Sequence, residues 1–596
     1  MIVADPRVPR RPGPALAALL CLWLAACSGG ASLPADDGAS GASGIGDAAA
    51  GPSGAGLDAN LDETPAGVPT GDVPSTVAAS RLDPADVEAA RLLTQATFGP
   101  TVDSIAEYRT YPDAEAWIDA QMALPVSLVA PHTRANSNGS HPEARHEAWW
   151  NNALSGEDQL RQRVAFALSQ LFVVSDVDFA LGNAQYGVAD YYDMLATSAF
   201  GNYRELLEDV TLHPVMGVYL SMVLNERADA SANVRPDENF AREVLQLFSI
   251  GLHELDASGR PVPADDPEPA YTQRTVEAFA RVFTGWNYPA ARYWNDTNIN
   301  TVNFEGPMEP DEAYHDTGAK TLLNGVVAPA GLSAREDLEL ALDNIAAHPN
   351  VGPFVAKQLI QRLVTSNPSP EYVARASSVF DDDGSGERGN LGALVKAILL
   401  DPEARTGHRT DPDFGKLREP VVRQAHLWRA LDAVPGPEAR AHATADFALY
   451  RIDEAVGQAV QHSPSVFNFF LPDHTIVPGG ERLAPEMQIM SEANLAATHN
   501  NLHHQFYRFT TRSELSDDNP RVTLVDLEPL VALAADPGAL LDRYNLLFAA
   551  GGMPDGVRAA LGDHLSGFGD SDAQRFAAVQ DTMFLLAVSP SFHLQR

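Results

Sequence analysis

Residues 236–255, PDENFAREVLQLFSIGLHEL, combine helical periodicity with residues that favour a helix start and a helix end. At about 100° per residue, the apolar side chains fall on one face and the polar side chains on the opposite face. Pro236 is typical of a first helical residue, and Gly251 is typical of a helix end. The pattern predicts a helix over residues 236–255 whose polar face holds Glu238, Asn239, Arg242, Glu243 and Gln246.

The same helical period recurs along most of the chain from residue 81 onwards. In residues 159–175, QLRQRVAFALSQLFVVS, and in residues 273–286, QRTVEAFARVFTGW, apolar side chains return every three or four positions. Residues 291–327 break the period, because TNINTVNFEG and AKTLLNGVV are typical of short strands separated by a polar turn. We therefore predict an all-α, multi-helix body with one small β-hairpin insertion near residues 300–325.

The charge of the chain limits its partners. Its 596 residues carry a formal net charge of −38 at pH 7, and no run of basic residues occurs. Nucleic-acid binding requires a basic surface that neutralises phosphates, so we expect no nucleic-acid partner. A strongly acidic body fits cationic partners or simple solubility.

The N-terminal segment is predicted to be a secretory signal. Arg7, Arg10 and Arg11 precede the apolar run ALAALLCLWLAAC, which is too short to span a bilayer. The following LAAC sequence resembles the lipobox of bacterial lipoproteins, which implies that residues 1–26 are removed and that Cys27 carries a lipid. The residue after Cys27 is serine rather than aspartate, and this resemblance to sorted lipoproteins favours the outer membrane. An uncleaved signal anchor is the alternative.

The two cysteines of the chain, Cys21 and Cys27, both lie in this segment. The mature body is therefore expected to hold no disulfide, no thiolate metal site, no cysteine nucleophile and no CxxCH haem attachment. Neither a GxSxG or HExxH motif nor a Walker loop or GxGxxG motif occurs in a supporting context. We expect neither haem nor nucleotide as a cofactor, and a divalent metal remains open.

A compositional change separates the signal from the body. Residues 27–80 are dominated by Gly, Ala, Ser, Pro and Asp, and from residue 28 they contain no Lys or Arg. Such a segment cannot bury enough apolar surface to offset its ordering entropy. We predict a flexible tether over residues 27–80 and a helical body over residues 81–596, with a C-terminal helical subdomain from about residue 480 as one option.

The polar face of the 236–255 helix is the first candidate site. Glu238 and Arg242 are four residues apart, as are Asn239 and Glu243, so these side chains can meet along the helix. Such a face could bind a polar ligand, and a glutamate held by Arg242 is expected to keep a low pKa, suited to a base. The alternative is a salt-bridge network that ties the helix to its neighbours.

A polar turn supplies the second candidate. His315, Asp316 and Lys320 lie within six residues and could supply an acid, a base and an anion contact, or metal ligands from His315 and Asp316. Asp-Thr-Gly is also good turn chemistry, which is the structural alternative. Arg274 in the next helix is a further candidate for ligand binding, whereas salt bridges with Glu277 are its simpler interpretation.

The acidic loop DDDGSGE resembles part of a calcium loop. Asp381, Asp383 and Ser385 occupy the first, third and fifth positions, but the twelfth position is Gly392 and the bidentate glutamate is missing. We keep these three residues as an incomplete calcium-site hypothesis, against a solvated acidic turn as the alternative.

Three histidines have simpler expected roles. His213 and His348 each precede a proline or a helix start, where capping or packing is the favoured role. His462 lies near the segment SPSVFNFFLP, and with Phe467, Asn468, Phe469 and Phe470 it could line a pocket, although aromatic clusters more often belong to a core.

The order of several phrases identifies a family resemblance. ARLLTQATFGPT, ENFAREVLQLFSIG, YTQRTVEAFARVFTGW, YHDTGAKTLLNG, HPNVGPFVAKQLIQRLV and NLGALVKAILLDPEAR together resemble the bacterial family known as domain of unknown function 1800, over roughly residues 85–596. The resemblance implies a secreted or periplasmic, mostly helical protein, often encoded beside proteins of the alkaline-phosphatase and sulfatase type, without an established activity. Residues 165–170 lack the paired histidines of the commoner form, so a metal bound there in relatives would be lost here.

Two functions follow as expectations. The first is an outer-membrane lipoprotein, anchored through Cys27 and facing the periplasm or the cell surface, that binds or assembles with a secreted sulfatase- or phosphatase-like partner. The second is a secreted hydrolase or lyase acting on an extracellular polymer. Its base would be Glu243 or Glu238, its acid or metal ligand His315, and its anion contact Arg242 or Lys320.

Overall fold

The fold is described from a computed structural model, which describes residues 81–295, 302–436, 455–513 and 522–596. The predicted signal peptide, the tether and Cys27 lie outside these residues, so the expectations for them stay predictions. Residues Ala79–Arg596 form one compact unit. Within the described ranges, no helix is both long and apolar enough to cross a membrane.

Helices make up most of the described chain, which confirms the predicted all-α class. The first half contains α1 Pro84–Ala96, α2 Val102–Tyr108, α3 Ala114–Met122, α4 Ala130–Asn136, α5 Glu143–Ser155, α6 Gln159–Ser169, α7 Phe179–Gly182, α8 Gln185–Thr197, α9 Tyr203–Leu212, α10 Pro214–Tyr219, α11 Asn239–Gln246 and α12 Gln273–Val282. The second half contains α13 Ala334–Ala346, α14 Val351–Leu363, α15 Pro370–Asp381, α16 Leu391–Leu400, α17 Pro402–Thr410, α18 Pro420–Ala430, α19 Glu492–Tyr507, α20 Glu528–Leu533, α21 Pro537–Ala549, α22 Asp555–Leu565, α23 Asp572–Ala587 and α24 Pro590–His593.

Helix starts follow the local sequence. Asp83 accepts a hydrogen bond from the backbone N of Ala85, and Pro84 is the first residue of α1. Thr272 caps α12 in a capping box with Thr275. These caps satisfy backbone N–H groups that have no partner inside a helix.

The strands are two residues long and form four antiparallel pairs. They are β1 Trp286–Asn287 with β2 Glu309–Pro310, β3 Lys320–Thr321 with β4 Val327–Ala328, β5 Lys416–Leu417 with β8 Leu594–Gln595, and β6 Val434–Pro435 with β7 Thr523–Leu524. The segment AKTLLNGVV thus forms a hairpin by itself, with Asn324 at a φ of 55° in its turn. The predicted strand TNINTVNFEG falls partly outside the described residues, and its described part, 302–306, contains no strand.

Helix α11 is shorter than the sequence period predicts. It ends at Gln246 with Leu247 as its C-cap, and residues after it turn away from the helix axis. Backbone N atoms of Ile250 and Gly251 both donate to the carbonyl of Leu245, at 3.0 and 3.1 Å. Gly251 has a φ of 75°, a conformation that costs glycine little and other residues more. The apolar pattern therefore continues beyond the helix because Phe248 and Ile250 are buried in the turn.

Helix α6 occupies the centre of the body. It packs against α1, α3, α5, α8 and α14, and Leu160, Val164 and Leu168 on it are at most 1% exposed. Helix α14 packs against α15 and α16 on its other side. Farther along the chain, α21 contacts both α1 and α18, so helices from beyond residue 480 pack onto the start of the body. Residues at the end of α6 and along α14 line a common cavity.

Candidate functional site

The polar face of α11 forms a network at the surface. Arg242 Nη2 donates to Glu238 Oε2 at 3.0 Å and to Gln273 Oε1 at 3.2 Å. Gln273 Nε2 donates to the same oxygen of Glu238 at 2.8 Å. Asn239 is exposed beside these side chains. Because Gln273 belongs to α12, the network ties α11 to α12, as one of the two interpretations of this face predicts.

Glu243 lies outside this network. It is 8% exposed, and its Oε2 has no hydrogen-bond partner in the described part of the chain. Burial raises the pKa of the Glu243 carboxyl group, against the opposing charge of Arg242. Burial disfavours the charged form of this carboxyl group more than the neighbouring cation favours it.

The ring of His315 is completely buried. Its Nδ1 lies 2.9 Å from the carbonyl oxygen of Thr284, and its Nε2 lies 3.0 Å from Asp337 Oδ2. Lys320 Nζ contacts the same carboxylate and donates to the carbonyl oxygen of Gly318 at 3.1 Å. The side chains of His315, Lys320 and Asp337 have no exposed surface. This cluster ties the 315–320 turn to α13, and it leaves no histidine nitrogen open to a ligand.

Asp316 is held by an arginine from α12. Arg281 donates through Nε and Nη2 to the two carboxylate oxygens, at 2.9 and 2.8 Å. Burial opposes ionisation, but this bidentate pair outweighs it and lowers the pKa of Asp316. Asp316 Oδ1 also accepts from the backbone N of Gly318 at 2.8 Å, which is the predicted turn chemistry. Arg274, on the same helix as Arg281, is exposed and makes no ion pair among the described residues.

The residues of the first candidate site do not contact those of the second candidate site. Among the described residues, no hydrogen bond or ion pair joins Glu238, Arg242 or Glu243 to His315, Asp316 or Lys320. The two groups lie on separate elements, and each is satisfied or enclosed by its own neighbours. A hydrolase or lyase that uses Glu243 or Glu238 together with His315 would need these side chains in one open cleft, whereas the ring of His315 is completely buried.

The carboxylates of the acidic loop make contacts within the loop itself. Asp381 pairs with Arg388, whereas Asp383 Oδ1 accepts from Ser385 through both its N and its Oγ at 2.8 Å. The bonds from Ser385 lower the pKa of Asp383 to about 2, with a further contribution from Asn390. Across residues 81–295, 302–436, 455–513 and 522–596, no group of three or more His, Cys, Asp or Glu could hold a metal ion. The carboxylates of Asp381 and Asp383 serve the turn instead.

Two predicted capping histidines are confirmed. His213 Nδ1 accepts from the backbone N of Val215 at 3.3 Å at the start of α10. His348 Nδ1 accepts from the backbone N of Asn350 at 3.2 Å just before α14. These rings satisfy backbone donors at turns and helix starts.

His462 belongs to a buried ionic cluster that the sequence did not indicate. Arg145 Nη2 donates to Asp176 Oδ2 at 2.6 Å, and both side chains are 2% exposed. His462 Nδ1 lies 2.5 Å from the other oxygen of Asp176, and Gln185 Nε2 donates to Oδ2 at 3.1 Å. The cluster thus joins α5, α8 and the segment that contains residue 462, and His462 does not line the cavity described next.

A cavity of about 470 Å³ lies between the end of α6, the turn after α11, helix α14 and residues 466–473. Its walls are mainly apolar and include Phe354, Phe467 and Phe470. Leu252, Phe467 and Leu471 at its opening are 51%, 45% and 37% exposed. A concave, largely apolar space of this size accommodates a small organic molecule.

Four polar side chains in the cavity wall each have a buried atom without a hydrogen-bond partner among the described residues. These atoms are Gln170 Oε1, Gln361 Oε1, Arg362 Nη1 and Asn468 Nδ2, and each residue is at most 8% exposed. Buried polar groups in folded proteins are nearly always paired. These four side chains belong to residues that line the cavity, and they add polar groups to walls that are otherwise mainly apolar.

The two glutamines are fixed in orientation by their amide nitrogens. Gln170 Nε2 donates to Glu419 Oε2 at 2.5 Å. Gln361 Nε2 donates to the carbonyl oxygens of Pro472 and Ser366, at 3.0 and 3.1 Å. These hydrogen bonds fix the orientation of both amides, and with it the position of each side-chain oxygen.

The wall that contains Asn468 has an unusual backbone. Asn468 has a φ of 63°, and Gln461, earlier in the same segment, has a φ of 54°. Both values lie in the left-handed region, which costs a residue with a side chain free energy. Such conformations cluster at ligand sites in folded proteins. The segment SPSVFNFFLP is thus confirmed as a pocket wall at Phe467, Asn468 and Phe470, whereas Phe469 lies outside the main cavity.

The sequence period did not indicate the α14 side of the cavity. In VGPFVAKQLIQRLV, Lys357, Gln361 and Arg362 resemble surface residues of an amphipathic helix, yet Gln361 and Arg362 are 2% and 4% exposed. The indication in the sequence was the polar pair Gln361 and Arg362, which has apolar residues on both sides along the chain. Its partners come from residues 170 and 468, which no local pattern connects.

An all-α body with small hairpins and a largely apolar cavity of ligand size is the class that this fold and site define. A family model described as a protein of unknown function (DUF1800) matches residues 91–594, and the chain belongs to this family. Comparisons with curated proteins and with solved structures found no match.

Proposed function

We propose that this protein is a binding lipoprotein of the cell envelope, held to the outer membrane through Cys27. Its helical body binds a small organic ligand in the cavity between α6 and α14, and it acts together with a sulfatase- or phosphatase-like partner. The observation that carries the proposal is the set of four buried, unpartnered polar atoms around an apolar cavity of about 470 Å³. Buried polar groups without partners destabilise a protein, so a ligand that pairs with them gains free energy on binding.

The alternative, a hydrolase or lyase acting on an extracellular polymer, has weaker support. Its acid, His315, is completely buried and bonded to Asp337. Its first-choice base, Glu243, is buried and does not line the cavity. Binding therefore explains more of the described structure than catalysis by these residues.

Filling the cavity is expected to remove ligand binding without unfolding the protein. Leu247 lines the cavity and is partly exposed, so a tryptophan at this position would occupy space that a ligand requires. We expect Leu247→Trp to weaken binding of the neutral fluorescent dye N-phenylnaphthylamine by about tenfold or more, measured by fluorescence titration.

Leu533→Trp is the matched control. Leu533 is also partly exposed, but it lies at the end of α20, away from the cavity lining. This variant should bind the dye as the wild type does. Equal binding by Leu247→Trp and wild type, at similar thermal stability, would contradict the assignment of the cavity as the binding site.

The proposed attachment to the outer membrane has a separate test. Cys27→Ala removes the residue that would carry the lipid, so the variant should move from the outer-membrane fraction to the soluble periplasmic or extracellular fraction. Immunoblots of separated fractions measure this change, and a variant that stays in the membrane would contradict the lipid anchor.

Pull-down of the wild type from solubilised envelopes tests the proposed partner. Recovery without any sulfatase- or phosphatase-like protein would count against that partner.

A further inference from the structure

Arg362 occupies an unusual position in the cavity wall. It is 4% exposed, and its guanidinium group lies over the ring of Phe470, 4.5 Å from the ring centroid. In the described part of the chain, this guanidinium group makes no hydrogen bond and no ion pair within 4.0 Å. A buried charge without a direct counter-charge is costly, and a cation–π contact recovers a part of that cost only.

The charges behind the cavity do not cancel. Five buried charged side chains meet there, three of them cations and two anions: Arg163, Arg362, Lys416, Glu419 and Glu486. Lys416 and Glu486 form an ion pair at 2.9 Å. Glu419 accepts hydrogen bonds from Gln170 and Gln458, at 2.5 and 2.7 Å. One positive charge is therefore in excess, although the chain as a whole carries −38.

Arg362 is the member of this cluster that reaches the cavity. Arg163, Lys416, Glu419 and Glu486 do not line it, whereas Arg362 does. Lys357 and Asp473 also line the cavity, and their opposite charges offset one another there. The excess positive charge is thus presented to a ligand by the guanidinium group of Arg362.

We infer that the ligand of this cavity is an amphiphile with one anionic group, bound by Arg362 through that group and by the aromatic walls through its apolar part. The inference rests on the proposed function, because it names the chemical class of the ligand for the same cavity. A guanidinium group donates two parallel hydrogen bonds to a carboxylate, sulfate or phosphate. Asn468 Nδ2 adds a neutral donor, and the oxygen atoms of Gln170 and Gln361 accept from hydroxyl or amide groups of the ligand.

Two dyes that share one ring system test the inference. Anilinonaphthalenesulfonate carries a sulfonate group, and N-phenylnaphthylamine has the same rings without a charge. We expect the wild-type protein to bind the charged dye about tenfold or more tightly than the neutral dye, because a hydrogen bond to a charged group in a desolvated site gives a gain of that order. Arg362→Met, which keeps the apolar length of the side chain, should lose this preference for the charged dye.

The control variants distinguish the effect of removing a positive charge from the effect of destabilising the protein. Arg274→Met removes an exposed arginine from α12 and should leave both dye affinities unchanged. Arg362→Lys keeps the positive charge and should retain a part of the preference, which provides a second variant if Arg362→Met has a lowered melting temperature. Displacement of the bound charged dye by decanoate or by decyl sulfate shows whether a carboxylate or a sulfate is the better anion. Displacement by either one supports the inference, and displacement by neither one contradicts it.

The dye measurements distinguish a wrong ligand class from failure of the proposed function. If the wild type binds both dyes equally and Leu247→Trp binds neither, the cavity binds ligands but the anionic class is wrong. If the wild type binds neither dye, the proposed function fails together with the inference. If Arg362→Met keeps the full preference for the charged dye, another cation holds the anion and the role of Arg362 is overturned.

Discussion

Replacing Asp337 with alanine is expected to lower the free energy of unfolding by about 3–5 kcal/mol, as is typical when one partner of a buried ion pair is removed. Asp337 is completely buried and accepts from both His315 and Lys320. Without its carboxylate, the ammonium group of Lys320 would stay buried with carbonyl oxygens as its remaining partners. Urea denaturation of the wild type and the variant at neutral pH measures the difference.

Asp343→Ala is the matched control on the same helix. Asp343 pairs with Arg204 at 2.7 Å, but its side chain is 71% exposed. Exposed ion pairs contribute little, so the expected loss stays below about 1 kcal/mol. Equal losses for the two variants would mean that burial does not determine the strength of these pairs, and a small loss for Asp337→Ala would mean that the 315–320 turn is not held by this cluster.

The second large effect is expected at Asp176. Asp176→Asn keeps the shape of the side chain but leaves the buried guanidinium group of Arg145 without a counter-charge. We expect a loss of about 3 kcal/mol in the free energy of unfolding at neutral pH. Asp178→Asn is the control two residues along the chain, because Asp178 caps α7 and asparagine caps a helix about as well as aspartate.

The pH dependence of this loss has a defined sign. Burial raises the pKa of Asp176, but Arg145 and His462 together lower it well below its ordinary value of 3.8. A carboxyl group with a lowered folded-state pKa stabilises the protein above its unfolded-state pKa, and this stabilisation is lost as the pH falls towards the folded-state value. The difference between the wild type and Asp176→Asn should therefore be full at neutral pH and shrink below pH 3.8. A difference that stays full well below pH 3.8 would contradict the assignment.

Buried charges thus have two distinct environments in this protein. Around Asp337 and Asp176, the cations are directly paired, and the clusters hold turns and helices together. Around Arg362, the guanidinium group has an aromatic ring beside it and a cavity in front of it, without a direct anion among the described residues. This contrast is the reason for assigning structural roles to the first two clusters and a ligand to the third.

Local sequence patterns were sufficient for the fold class and for several helix starts. The caps Asp83 and Thr272 and the turn roles of His213 and His348 depend on residues within a few positions of each other, so they are readable from the chain. The strand character of β3 was indicated for the same reason, whereas the turn within AKTLLNGVV was not. The early end of α11 was missed, because Phe248 and Ile250 continue the apolar period while they are buried in a turn.

The candidate site was predicted less well than the fold. The sequence singled out Glu238, Glu243 and His315 because they are polar and closely spaced, but spacing does not report burial or partners. Glu243 proved to be buried without a partner, and His315 proved to be bonded on both ring nitrogens. The pocket wall of Phe467, Asn468 and Phe470 was suggested by composition alone, without the side chains that face it.

Periodicity, composition and capping residues suffice to establish a mostly helical, acidic protein, because each of these properties arises within short segments of chain. The cavity requires the folded chain. Gln170, Arg362 and Asn468 are far apart in sequence, and their polar atoms meet at one apolar space only after α6, α14 and residues 466–473 have packed. Whether a charged side chain is paired, and therefore structural, or unpaired, and therefore available to a ligand, is a property of that packing and of no single segment.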